Sequence, residues 1–240
     1  MSTFINLSNE LLRRLNEVQI DQADFGSVKN VQALAKDAIN SSLRELLQDA
    51  QEWPFTLTTY EQTLVSGTKV YNFPADYSKA DWDTFYIKQL TSKNNNPQKL
   101  NLITYDQYLT SHRSGEDTSG TGGYTNPLNV YMTQDTKFGV TPIPDDSYVV
   151  EYRYWKYPAD LVAYSDTAVV PDRFKHVVID GAMMYMMSFR SNDQSSELHK
   201  KKFQDGIKMM RRLFVDQSVN VISTMLIPAG GTSVFKSNVI

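Results

Sequence analysis

Three groups of residues in this chain have types that could do chemistry: its histidines, two pairs of close carboxylates and a glycine-rich run. His112, His176 and His199 are the three histidines. None stands in the H-x-x-x-H or H-E-x-x-H spacing that would put two metal ligands on one helical face. Surface or capping roles account for each. Asp81 with Asp83, and Asp145 with Asp146, could act as acid and base. A solvated strand end explains the first pair, and a turn after Pro144 explains the second. Gly120-Thr121-Gly122-Gly123 lacks the Gly-Lys-Ser/Thr ending of a phosphate-binding loop, and no apolar helix follows it. No G-x-S-x-G element occurs. The chain has no cysteine, which excludes disulfides, thiolate metal sites and cysteine nucleophiles. These spacings predict a protein that is not an enzyme and has no cofactor or metal.

Two other features carry more. Lys200, Lys201, Lys202, Lys208, Arg211 and Arg212 crowd the last helical segment, opposed within that run only by Asp205. Such a stripe can neutralise phosphates. A solvated helix face is the plainer reading, with cations favoured toward a helix C-terminus. Contact with an acidic partner is a third. The tail, Ser218–Ile240, holds a single charged residue, Lys236. Ile222, Leu226, Ile227, Val234 and Phe235 are its candidate anchors. An extended apolar arm can pair with another chain's sheet edge or fill its groove; the alternative is a disordered terminus.

Positioning these features requires elements. The chain is 240 residues long, enough for one large domain or two small ones. Its net charge of −3 argues against a globally basic nucleic-acid binder. The opening residues predict no secretory leader, and no apolar run reaches the roughly 18 residues of a membrane span.

Phe4, Leu7, Leu11, Leu15 and Val18 recur at helical spacing and predict a helix over 4–17. A second helix, with Ser27 as a plausible N-cap, presents a wide apolar face that includes Ala35, Ile39, Ser42 and Leu46. Pro54 ends it. From Phe55 the period changes to strands: 55–60, 69–73, 82–90, 99–102, a hairpin over 128–132 and 136–140, and 147–157. Residues 105–112 predict a short helix. Ser114–Pro127 reads as a flexible loop or disordered insertion. Pro171 opens a third long helix with a buried stripe through Phe174, Val178, Gly181, Ala182, Tyr185 and Phe189. Ser191-Asn192-Asp193 breaks it. Ser195 or Ser196 then starts the last helix, in which Phe203, Ile207, Met210 and Phe214 align.

The opening segment Ile5–Val18 resembles the start of the head-to-tail adaptor family of short-tailed phages, the tail tubular protein A-like proteins. Glu52-Trp53-Pro54-Phe55, Thr141-Pro142-Ile143-Pro144, the strand Val149–Tyr157 with Pro158-Ala159-Asp160-Leu161, and Val170-Pro171-Asp172-Arg173-Phe174 are similar too. The resemblance spans about residues 4–217. It implies a structural virion protein: a homo-oligomeric ring, twelvefold in such adaptors, that joins the portal to the tail nozzle and lines the exit channel for packaged DNA. It implies location in the virion neck, with assembly in the host cytoplasm and no membrane partner. A C-terminal arm reaching the portal would be Ser218–Ile240.

The expected fold class is therefore α+β. Two helical hairpins, 1–52 and 161–217, build one discontinuous bundle. A β-rich domain, 53–160, forms an antiparallel barrel or sandwich inserted between them, and 218–240 extends as the arm. Rival readings are another phage neck or tail-tube component, a DNA-handling accessory protein using the basic helix, and a hydrolase acting through the β domain.

Overall fold

The structure, a computed structural model, describes residues 2–49, 52–88, 97–119, 123–134 and 136–214. Its elements in chain order are α1 (Phe4–Arg14), α2 (Val31–Asp49), β1 (Leu57–Leu64), β2 (Val70–Asn72), β3 (Tyr77–Ile87), β4 (Gln98–Lys99), β5 (Asn101–Ile103), α3 (Tyr105–Ser111), α4 (Arg113–Ser119), β6 (Asn129–Gln134), β7 (Lys137–Thr141), β8 (Tyr148–Lys156), α5 (Lys175–Phe189) and α6 (Asp193–Phe214). The protein is mixed α+β, and the chain divides into two units: Met1–Pro54 with Leu161–Ile240, and Phe55–Asp160.

In the helical unit α5 packs against α1, α2 and α6. Most of each expected stripe is buried: Phe4, Leu7 and Leu11 on α1, Ala35, Ile39 and Leu46 on α2, Val178 and Ala182 on α5, Phe203, Ile207 and Met210 on α6. Val18, Tyr185 and Phe189 were expected on these stripes and are exposed instead: α1 stops at Arg14, short of Val18, and Tyr185 and Phe189 lie along the open groove beside α2. Gly181 lets α5 lie close to both neighbours. A Cβ there would collide with Ser42 Oγ and sit 2.8 Å from the Phe203 ring. Ser42 is fully buried on α2, and its hydroxyl donates to the Val178 carbonyl at 2.8 Å. That bond satisfies the one polar group the apolar face carries inward there.

Two asparagines tie loops to helices. The Asn9 amide donates to the Ile20 carbonyl and accepts from its N–H, at 3.0 and 2.7 Å. The Asn40 amide brackets the backbone of Leu161 in the same way, at 3.0 and 3.1 Å. A side-chain amide has one donor edge and one acceptor, so it can stand in for a strand partner. Trp53, buried, donates its indole N–H to the Leu46 carbonyl and meets Phe214 edge-on.

The β unit holds two four-stranded sheets, ordered β1-β8-β3-β4 and β2-β7-β6-β5. Inward residues of both sheets form one cluster that includes Leu64, Phe73, Phe85, Val130, Phe138 and Tyr152. Phe85 stacks on Tyr152 with centroids 4.6 Å apart, and Phe73 stacks on Tyr77 at 4.0 Å. This is a sandwich-like arrangement, and among the described residues the sheets do not close into a barrel.

Several expectations need correction. The sheets are not wholly antiparallel, because β5 and β6 pair in parallel. The expected strand 99–102 is two short strands parted at Leu100, which is fully buried and donates its N–H to the Phe85 carbonyl. Ser27 does not cap α2. It closes a turn onto the Asp24 carbonyl, and the helix starts at Val31 after Asn30, whose φ is 53°. Neither Ser195 nor Ser196 opens α6; the Asn192 side chain accepts from the Ser195 N–H and caps a helix that starts at Asp193. The first part of the loop expected over Ser114–Pro127 is helix, because α4 runs Arg113–Ser119.

Candidate assembly surfaces

The basic residues all lie on α6, which is long enough to present a face of its own. Phe203, Ile207 and Met210 form the buried stripe. At 3.6 residues per turn, Lys201, Lys208 and Arg212 share a face away from it, and all three are exposed. Lys200 pairs with Glu197 at 3.7 Å and Lys208 with Asp205 at 3.2 Å. Exposed pairs of this kind contribute roughly 0–1 kcal/mol each, so they leave the face cationic without fixing it. Beside the cations run exposed Leu198, Met209 and Leu213. The outer surface of α6 is therefore half cationic and half apolar.

A second apolar feature of the helical unit is a groove of about 170 Å³ between α2 and α5, lined by Leu34, Ala38, Tyr185 and Phe189 among others. Phe189 is 62% exposed, an unusual position for a large ring. The Tyr185 hydroxyl donates to Glu45 at 2.8 Å across the same helices.

The candidate chemical groups are otherwise engaged. The His199 ring lies 3.2 Å from Asp180, which also faces Arg14 at 3.7 Å. His176 is exposed on α5, and His112 ends α3 with its N–H on the Tyr108 carbonyl. Asp81 pairs with Arg153 at 3.2 Å and Asp83 with Lys99 at 3.5 Å. Asp145 accepts from the Tyr148 hydroxyl at 2.6 Å, and Asp146 from the Ser147 N–H at 2.7 Å. The two carboxylate pairs thus tie strands and turns. Among the described residues no group of three or more His, Asp and Glu is placed to hold a metal ion, and no helix is long and apolar enough to cross a membrane. The arm candidates Ile222, Leu226, Ile227, Val234 and Phe235 lie outside the described residues, as do Gly120 and Gly122.

One group that sequence reasoning missed is Glu116, on α4. Its carboxylate is only 6% exposed, accepts from the Tyr108 hydroxyl at 3.0 Å and the Thr141 hydroxyl at 2.6 Å, and faces Lys69 at 3.6 Å. Lys69 in turn donates to Tyr108 Oη at 3.0 Å. This network pins α3 and α4 onto the second sheet. A signal was available for α3: Thr104-Tyr105-Asp106-Gln107 at its start is a capping box, and both of its bonds form.

The helical unit is built from two segments separated in sequence by the β unit, and it leaves apolar side chains such as Phe189, Met209 and Leu213 exposed. The family model of the SU10 adaptor protein matches residues 2–223, and the chain belongs to that family. The membership supports a structural role as a phage head-to-tail adaptor in the virion neck, in contact with portal and tail components. A search of curated proteins returned no match.

Proposed function

We propose that this chain is the subunit of a ring that joins the portal to the tail nozzle and encloses the passage for packaged DNA. The observation that carries this reading is the pairing of two unlike surfaces on one helical unit. Leu198, Met209 and Leu213 project from α6, while α2 and α5 offer a groove with Phe189 at its side. Projecting and receiving surfaces on different helices support head-to-tail association, which closes into a ring when the rotation per subunit divides a full turn. A two-fold dimer would instead use one self-complementary patch. Twelve subunits is the number the resemblance to adaptors implies.

The cations of α6 then have an occupation: Lys200, Lys201, Lys202, Lys208, Arg211 and Arg212 face the DNA or an acidic surface of the portal. The residues from 218 onward serve as the arm that reaches the portal. Assembly in the host cytoplasm follows from a part added to filled heads.

The test is mass measurement in solution with and without purified portal. Rings that form on portal from a subunit that is monomeric alone support the reading, and a Met209→Glu, Leu213→Glu variant should stay a folded monomer. A ring unaffected by those changes would put the subunit contact elsewhere. Truncation after Gln217 should preserve the fold and weaken attachment to portal. Salt-sensitive DNA binding by the isolated subunit would favour a DNA-handling accessory role instead.

A further inference from the structure

The β unit contains a cleft of about 470 Å³, within the size range of ligand sites, roughly 300–1,000 Å³. Its construction can be followed from the strands. Tyr71, Val130, Phe138 and Val140 face the sandwich core. Alternation therefore puts Val70, Tyr131, Lys137 and Gly139 on the opposite face of the second sheet. Gly139 is needed there, because a Cβ at that position would collide with the Tyr131 ring. The ring can thus lie flat across the sheet and stack on Tyr108 of α3, with centroids 4.1 Å apart and planes 12° apart. Burial pushes the Tyr131 hydroxyl well above its ordinary value, so it stays a neutral phenol.

The walls are cationic. Lys69, Arg113 and Lys137 all line the cleft, and none of the described residues lining it carries a carboxylate. Lys69 is held in place by its bond to Tyr108 and its approach to Glu116. Tyr105, 49% exposed, lies at the rim beside Tyr108 and Tyr131, with ring centroids 5.9 and 6.1 Å away. Thr133 Oγ1 lines the same cleft, buried and with no hydrogen-bond partner among the described residues. A buried hydroxyl without a partner is costly, and an occupant that bonds to it would relieve that cost.

We propose that this cleft binds an acidic, aromatic-bearing segment of a partner protein. Carboxylates would meet the three cations, a ring would stack on Tyr105, and a backbone or side-chain group would reach Thr133. Single-stranded nucleic acid also combines charge with stacking, but it needs a groove along which cations follow the phosphates. Here the three cations line one local, partly open cleft. The inference stands on the cleft alone and does not depend on ring formation.

The test is fluorescence anisotropy of the full chain with a short fluorescein-labelled peptide of alternating glutamate and tyrosine. A lysine–tyrosine peptide and oligothymidylate serve as comparisons. Binding of the acidic peptide should weaken with added salt and fall by on the order of tenfold in an Arg113→Glu, Lys137→Glu variant. Tyr105→Ala should weaken it separately, with far-UV circular dichroism unchanged. Should the double reversal fail to fold, Lys137→Ala replaces it. Three results would overturn the proposal: no binding of the acidic peptide at low salt, equal binding by the charge variants, or oligothymidylate as the ligand whose binding those variants abolish.

Discussion

Gly181 and Gly206 bring the helices of the helical unit together, whereas the β unit fills its interior with the rings of Phe73, Phe85, Phe138 and Tyr152. A Cβ at Gly206 would lie 2.7 Å from Val177 Cγ2. The helical interface is thus set by atoms that are absent, and the β core by atoms that are present. The first should be intolerant of addition and the second of removal, because both are packed to the density at which neither a void nor an extra methyl is free of cost.

The largest expected effect breaks the β side. Phe85→Ala removes a ring stacked between Trp82 and Tyr152 and should destabilise by about 4 kcal/mol. A denaturant titration measures it, with amide exchange rising in β3 and β8. Next comes addition on the helical side. Gly181→Ala drives a methyl onto Ser42 and displaces its bond to Val178, costing about 3 kcal/mol. Exchange should rise in α2 and α5 while β8 stays protected. If Gly181→Ala is neutral, the closeness of α5 to α2 is not what holds the bundle.

Glu116→Gln sharpens the comparison inside the β unit. It should cost about 1–2 kcal/mol and loosen residues 105–119 by amide exchange without altering the ring cluster. A smaller effect is expected in alkali. Burial, and then donation to Asp145, pushes the Tyr148 hydroxyl up to about 12 from 10.0. The folded state therefore holds this proton more tightly than the unfolded chain. The contribution is complete below pH 10 and is lost as pH rises toward 12, and a Tyr148→Phe variant should flatten that part of the stability profile. The smallest effect belongs to Lys200→Glu, Lys201→Glu and Lys202→Glu. Each should change stability by less than about 0.5 kcal/mol, so any loss of portal attachment or DNA retention would come from the surface and not the fold.

The helical half was the more legible. Its stripes recur every three or four residues, and each residue on a stripe reports the same buried face, so Phe4 to Leu11 and Phe203 to Met210 could be read without knowing what they touch. Helix starts were less legible. Ser27 and Ser195 are good caps by type, yet Asn30 and Asn192 sit where the chain turns, and the turn is decided by neighbouring packing. In the β half the strands could be placed, but pairing could not. Residues 101–103 take a parallel partner at 129–131 across an intervening helix pair, and nothing local encodes that choice. The Gly- and Ser-rich composition of 114–127 pointed to a loop, and Glu116 overrode part of it through its contacts with Tyr108, Thr141 and Lys69, the last two far off in the chain.

From the sequence alone came the class of the chain: two amphipathic helical segments flanking a β region, no cysteine, and no spacing able to form a catalytic or metal site. Those properties are carried by periodicity and residue type, which act over a few neighbouring positions. The tertiary structure decided which surfaces exist. Only folding brings Lys69, Tyr108, Glu116 and Tyr131 to one place, sets the groove between α2 and α5 apart from the outer stripe of α6, and leaves Phe189 exposed. Such arrangements depend on contacts between residues far apart in the chain, selected by how whole faces pack and not by the local order of residues.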